Sequence, residues 1–323
     1  MSDPINHHYV PVFYLSRWAT DGRVCCFSRP FGSAVKPKRV VPKGTGYKAR
    51  LYEVSVGSPA KDQSMETGFL SPLDSQAAEA LVLLESRLPE AKWTSGPRSA
   101  WSRFILAQML RSPEDIAQLK SSARQSWAEV VPELDQIYSR SRRPEWPSTL
   151  DEYLQLQSPS HADELALGIA RRLIDHSGLG GSINNMYWHV IEFPEDCFPL
   201  LTSDRPVWMT PSFSEADAFI AIPIGPRRLF TATVHQSTTL RLRHRNRKEL
   251  AKQWNRITAN HAVDYVYGVD DKMLNFVQKH MAARRHSSLV ERLAVGYGHD
   301  IVSPTSPAAL LEKRRRFPVR RSH

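Results

Sequence analysis

Gly178-Leu179-Gly180-Gly181 divides the chain into two differently patterned parts. Upstream, residues 64–178 repeat apolar side chains at helical spacing. Ala77, Ala78, Leu81, Leu84 and Leu88 follow Asp74, a candidate cap. Trp101, Phe104, Ile105, Gln108, Met109 and Ser112 form one stripe of a second helix that starts near Pro97 and meets a break at Pro113. Residues 114–130 and 161–176 predict two more helices around a loop at 141–148. Downstream of the glycines the pattern changes to short strand-like runs: Trp188, Val190 and Ile191 near Phe193; Phe198–Leu201; Val207–Met209; Phe219–Ile222; Leu229–Val234. Residues 247–261 predict a helix, Val263–Gly268 a strand, and Asp270 the cap of another helix. Residues 1–60 are rich in Pro, Gly and aromatics, with β-prone runs at Arg23–Phe27 and Ala49–Val54. A β-containing lead-in, a central helical region and a C-terminal mixed sheet with helices make an α+β fold.

The 323 residues, 41% of them hydrophobic, suffice for one composite domain over residues 1–300, followed by a basic tail at 301–323. The tail holds Lys313, Arg314, Arg315, Arg316, Arg320 and Arg321 against Glu312, with Pro304, Pro307 and Pro318, which suits a flexible arm. The whole chain carries a formal net charge of +10. Arg241, Arg243, Arg245 and Arg247 alternate, so on a strand they share one face. That strip fits either a phosphate-facing surface or an edge protected by charge. No run of about 18 apolar residues predicts a membrane span. The first residues lack the basic-then-apolar pattern of a secretory signal. Cys25, Cys26 and Cys197 form no C-x-x-C, which argues against a disulfide scaffold and a cysteine zinc site. A cytoplasmic location is the expectation. The sequence carries no G-x-x-x-x-G-K-[ST], no helix-opening G-x-G-x-x-G, no G-x-S-x-G and no H-E-x-x-H.

The chemistry-bearing residues gather in a few segments. His7-His8-Tyr9-Val10-Pro11-Val12-Phe13-Tyr14-Leu15-Ser16-Arg17-Trp18 is an aromatic run that must dock in the core. Docking carries His7 and His8 to a surface or cleft, where imidazoles transfer protons, ligate metals or act as structural hydrogen-bonding groups. Asp204 sits in Thr202-Ser203-Asp204-Arg205-Pro206 between two apolar runs, placed to ligate a metal, orient a histidine or stitch the loop by an Asx turn. Gln108 and Arg111 share a helix face. Gln108 suits a substrate amide or a buried polar pair, and Arg111 an anion clamp. Asn255 faces a ligand or a backbone group. Glu66 and Asp74 read as surface or capping carboxylates.

These segments resemble the DUF4238 family. His7–Trp18 is similar to its HHY-V-P-x-F-Y-L-x-x-W/F signature, and Phe104–Pro113 to its helix ending in Gln-x-x-Arg-[ST]-Pro. Phe198–Val207 resembles Phe-x-[ST]-[ST]-Asp-x-Pro-Val, Ile222–Arg227 resembles Phe-Pro-Leu-Ser-Pro, and Trp254-Asn255 with Val266-Tyr267 its closing elements. Arg205 stands where Asn or Ser is usual, and Gly225 where Ser is common. The resemblance spans about residues 5–280 and implies the fold's extent and a site, without a reaction.

The expected function is a metal-assisted phosphodiesterase or nuclease. His7, His8, Arg111 and Asp204 are its catalytic candidates, with magnesium or manganese held by His8 and Asp204. Tyr9, Gln108, Arg227 and Asn255 are its substrate-binding candidates, and nucleic acid or another polyanion its partner. Two alternatives stand beside it. One is a non-catalytic nucleic-acid or nucleotide-binding module in which Tyr9, Trp18 or Trp208 stacks on bases. The other is a metal-independent transferase with a small nucleotide cosubstrate, His8 as base and Arg111 as anion clamp.

Overall fold

The aromatic run near the N-terminus docks as its composition demands. In the computed structural model, which describes residues 5–55, 61–86, 93–157, 160–210 and 215–282, β1 (Asn6–His8) leads into α1 (Val12–Leu15). Tyr14, Leu15 and Trp18 are fully buried. Tyr14 Oη donates to Pro223 O at 2.6 Å, and Trp18 Nε1 donates to Leu200 O at 2.7 Å. Both rings therefore satisfy their polar atoms on the far half of the chain.

β2 (Val24–Ser28) and β3 (Lys36–Val40) form a hairpin, and β4 (Tyr47–Ala49) turns back to pair with β1. The run Ala49–Val54 is not one strand. Arg50 takes a positive φ of 55°, which ends β4, turns Leu51 and Tyr52 into the core and starts β5 (Val54–Ser55), partner of β6 (Lys61–Asp62).

Asp74 caps no helix. Met65–Leu70 form a π-helical segment that runs into α2 (Ser71–Glu85), with Asp74 in its first turn. Pro72 has no N–H to donate, and the Ser71 N–H reaches back five residues to Glu66 O. α3 (Ser95–Gln108) follows, then α4 (Pro113–Ser141), whose cap Ser112 Oγ accepts from Asp115 N at 3.2 Å. α4 continues through Pro132, beyond the expected end at residue 130. Its second half buries Leu134 and Tyr138 against Leu150 and Leu154 of α5 (Leu150–Gln157), a helix absent from the sequence reading. α6 (His161–Ile174) packs along α4. The Gly178–Gly181 segment also differs from expectation, because it lies within α7 (Ser177–Asn184). His176 Nδ1 accepts from Leu179 N at 3.2 Å, and Asn184 accepts from Ser102 Oγ at 2.6 Å, so capping and packing on α3 override glycine's poor helix propensity.

The remaining elements are β7 (Tyr187–Glu192), β8 (Thr202–Ser203), β9 (Trp208–Met209), β10 (Phe219–Gly225), β11 (Arg228–Thr233), α8 (Gln236–Arg243), α9 (Arg247–His261), β12 (Val266–Gly268) and α10 (Leu274–His280). They complete two antiparallel four-stranded sheets, in order β7-β11-β10-β9 and β3-β2-β12-β8. The second sheet joins the β2–β3 hairpin to β12, the last strand among the described residues. Phe198–Leu201 is not a strand, because Leu201 N donates to the Asn255 side chain rather than to a ladder. The alternating arginines form no strand either. They span α8, the turn after it and the first residue of α9, from which Arg247 donates to Arg243 O at 2.8 Å and Arg245 O at 2.9 Å, covering carbonyls at the end of α8.

One apolar core unites Tyr14 and Trp18 of the lead-in, Trp101 and Phe104 of α3, and Trp188, Ile220, Phe230 and Tyr267 of both sheets. The architecture is α+β. Among the described residues no helix is long and apolar enough to cross a membrane. The basic tail at 301–323 lies outside the described residues.

Candidate active site

β1 and β4 place the two histidines differently. His7 lies opposite Lys48 and is fully buried; His8 lies opposite Tyr47 and keeps a partly exposed ring. Tyr52 N donates to His7 Nδ1 at 3.0 Å, and the two rings stack at 5.5 Å. Tyr52 Oη in turn donates to Arg111 O at 2.7 Å. His7 is thus a structural link between β1, the Arg50–Tyr52 turn and the end of α3. His8 Nε2 lies 3.2 Å from Lys43 O, and its ring meets Tyr47 edge-on. A carbonyl only accepts, so this contact puts the neutral ring's proton on Nε2 and leaves Nδ1 with the lone pair. Burial lowers the His8 pKa from the ordinary histidine value, and the charges of Arg111, Lys43 and His7 push the same way.

Arg111 is the buried cation behind the histidines. Nη1 donates to Asp74 Oδ1 at 2.9 Å and Oδ2 at 3.2 Å. Turned with its oxygen toward the guanidinium, the Gln108 amide accepts from Arg111 Nε at 2.7 Å. Arg111 is only 1% exposed, so it is held by protein groups and sets charge from behind. The expected substrate clamp is not the role this geometry gives it, and Gln108 is its partner rather than a substrate ligand.

The π-helical segment contributes the residue the sequence reading placed at the surface. Glu66 is partly buried, and its Oε2 is shielded from solvent without a hydrogen-bond partner. Burial pushes its carboxyl up to about 7, against the pull of Arg111 and of the His8 backbone N–H, while Asp74 repels its negative form. Asp74 is raised as well by burial, again opposed by Arg111. The missed signal was Pro72 close after Glu66, which favours an irregular helix start and so a carboxylate turned inward.

Asp204 has a different task. Its Oδ1 accepts from Val263 N at 3.0 Å, and its Oδ2 from Asp264 N at 2.5 Å and Tyr265 N at 3.0 Å. The carboxylate closes the loop before β12, the stitching role open to it in the sequence. Arg205 clamps the same loop to the start of α4, with Nη2 at 3.3 Å from Ser112 Oγ and 3.4 Å from Asp115 Oδ1. The divalent metal expected on His8 and Asp204 does not suit these residues. Both Asp204 oxygens are engaged by backbone N–H groups, and the charges that bear on His8 are cationic. Among the described residues no group of three or more His, Cys, Asp or Glu side chains is arranged to hold a metal ion.

The other expected ligand residues are structural too. Asn255 is buried, accepting from Leu201 N at 2.8 Å and donating to Pro199 O at 2.9 Å. Arg227 donates to Cys197 O at 2.7 Å and Pro194 O at 3.1 Å and pairs with Glu195 at 2.8 Å. Tyr9 is 4% exposed and Trp18 fully buried, so neither offers a face to a base. Trp208 packs on Phe219 and Trp254. Arg227 also lines a cleft of about 560 Å³ with Arg17, Glu85, Glu192 and Arg228, which contains neither histidine nor Glu66. Its arginines and glutamates pair with each other.

One basic feature was missed. Between residues 36 and 50 the chain carries Lys36, Lys38, Arg39, Lys43, Lys48 and Arg50, all exposed, with no acidic residue. The run covers the edge strand β3 and then β4, the partner of β1, and so ends beside His8. Its signal was a stretch of six basic residues without an acid, overshadowed in the sequence by the tail and by the alternating arginines.

A family model described as "Protein of unknown function (DUF4238)" matches residues 6–272. No curated protein and no solved structure matches the chain.

Proposed function

The chain belongs to the DUF4238 family, and from the site itself we propose that it cleaves phosphodiester bonds in nucleic acid by proton transfer between His8 and Glu66, without a bound metal. The observation that carries this reading is the Glu66 carboxyl, which meets the His8 backbone N–H and leaves Oε2 buried without a partner, and the opposed displacement of the two residues' pKa values supports it. The His8 pKa is lowered, so the ring is neutral near pH 7 and can accept a proton at Nδ1. Glu66 is raised to about 7, so near that pH a large share of it holds a proton to give. Environments that separate the pKa values of two adjacent groups assign base and acid. Arg111, tied to Asp74 and Gln108, keeps the ionised form of Glu66 accessible for the return step. The exposed lysines at 36, 38, 43 and 48 draw a polyanion to the side on which His8 lies.

The test is cleavage of mixed single-stranded oligonucleotides by the full chain in EDTA, as a function of pH. The expected profile is a bell. Its acid limb rises through the lowered His8 pKa, and its alkaline limb falls through about 7 as Glu66 loses its proton. Cleavage that stops in EDTA and returns with magnesium or manganese overturns the proposal.

A further inference from the structure

We infer that the face of the second sheet beside His8 is a track for single-stranded nucleic acid, with Tyr47 and Tyr265 as its stacking platforms; this rests on the reading above for the polyanion and not for the cleavage. Register puts the track together. Lys36 and Lys38 of β3 lie opposite Ser28 and Cys26 of β2, and Cys26 lies opposite Tyr267 of β12. Residues paired across strands, and residues two apart along one strand, point to the same side of a sheet. Lys36, Lys38 and Tyr267 therefore share one face, and Tyr265 joins them, its ring stacked on Tyr267 at 6.1 Å. Arg39, between the two lysines, turns to the other side, and its guanidinium donates to Val269 O and Thr20 O, each at 2.6 Å.

The segment between β3 and β4 lies on the lysine side. Thr45 Oγ1 is 3.0 Å from Tyr267 Oη and 3.9 Å from Cys26 Sγ, so it covers the middle of this face and brings Lys43 and Tyr47 onto it. Tyr267 and Cys26 are buried beneath it, whereas Tyr265 and Tyr47 stay partly exposed and Lys36, Lys38, Lys43 and Lys48 are exposed. None of these four ammonium groups forms an ion pair among the described residues, unlike the arginines of the cleft beside Arg227. Two acids, Asp264 and Glu114, stand at the Lys48 end; Lys48 acts on Asp264, and Arg205 approaches Glu114 at 3.7 Å. Lysines on an edge strand also keep it from pairing with other chains, but that task requires no aromatic ring beside them. Rings set among cations fit a flexible strand of phosphates with unpaired bases. The ammonium groups take the phosphates, and the phenol rings take the base faces. A duplex keeps those faces inside its own stack, and a base-free polyanion has none.

The experiment measures, by fluorescence anisotropy in EDTA at several salt concentrations, binding of the full chain to labelled strands of about ten nucleotides. The probes are single-stranded DNA, single-stranded RNA and the DNA duplex, with heparin as a base-free competitor, and gels of the same mixtures show whether the strands stay intact. The expected result is tighter binding of single-stranded DNA, RNA or both than of duplex. The Lys36→Gln, Lys38→Gln double variant lowers the slope of log affinity against log salt by about 1 for single strands. Tyr47→Leu and Tyr265→Leu each weaken single-strand binding about 10-fold at an unchanged melting temperature, and leave duplex and heparin binding as they were. If Tyr265→Leu protein does not fold, the Tyr47 and lysine variants decide. Single strands and duplex bound equally, with no loss in the tyrosine variants, make the face a general polyanion surface and overturn the inference. Unchanged affinity and salt slope in the lysine variant overturn it too, because the strand is then held elsewhere on the chain. Single strands bound on the track yet left intact sustain the inference and remove the cleavage reading. Cleavage in EDTA with affinity unchanged in every variant does the reverse.

Discussion

Asp204 and Glu66 are both acids that burial has made harder to ionise, to about 6 and about 7. They differ in what their oxygens do. Asp204 takes three backbone N–H donors from consecutive residues, 263 to 265, and holds a loop onto β12. Glu66 leaves Oε2 buried and without a partner at the end of a π-helical segment, beside the histidine strand. A raised pKa alone therefore does not mark chemistry. Hydrogen bonds that account for a carboxylate mark a structural role, and a buried carboxyl oxygen with none marks a group whose protonated form the fold favours.

The largest effect is expected at the structural member of the pair. Asp204→Ala removes the shared acceptor of three N–H groups in a loop whose Val263 and Asp264 are exposed, and lowers stability by about 3 kcal/mol, read by urea unfolding. Activity per folded molecule changes only a few-fold. Loss of activity at unchanged stability would reverse the assignment of the two carboxyls.

Glu66→Gln is expected to do the opposite. Cleavage falls about 100-fold, equivalent to about 2.7 kcal/mol in the barrier. Stability rises, and the sign follows from linkage. The folded pKa of Glu66 is above its unfolded value, so its contribution is fully favourable below about 4.5 and is lost as pH rises through about 7. Glutamine cannot ionise and escapes that loss. The variant's gain grows between those two values and levels off above them at about 1–3 kcal/mol. Melting temperatures taken across that range check it, and a variant less stable at alkaline pH would make Glu66 a structural acid like Asp204.

The sequence shows one of these roles better than the other. His7 and His8 stand out because an aromatic run must be buried and carries them with it. Arg111 and Gln108 stand out because they share a helix face, and the structure does join them, to each other. Asp204 is visible as a residue before a Pro-restricted turn, but whether its oxygens face a ligand or three backbone N–H groups depends on where residues 263–265 pass, a contact about 60 positions away. Glu66 looks like any helical surface glutamate until Pro72 and the π-helical segment are considered together. The fold class is legible for a related reason. Alternation and helical spacing are local, and the exceptions at α5, α7 and the arginine-rich turn arise where tertiary packing or capping prevails over propensity.

The smallest expected effect separates the two carboxyls by charge alone. Asp74 repels ionised Glu66 and neutralises Arg111, and it is not among the main influences on Asp204. Asp74→Asn keeps an acceptor for Arg111 while removing the negative charge. Arg111 then favours ionised Glu66 more strongly, and the Glu66 pKa falls by about half to one unit. The alkaline limb of the pH–rate profile moves to lower pH by the same amount, and the acid limb moves much less. Carbon NMR of the side-chain carboxyls should show the Glu66 titration shifted and the Asp204 titration in place. An alkaline limb that stays where it is while the Glu66 resonance moves would mean that another group gives up the proton, and the distinction between the two buried acids would then be one of structure only.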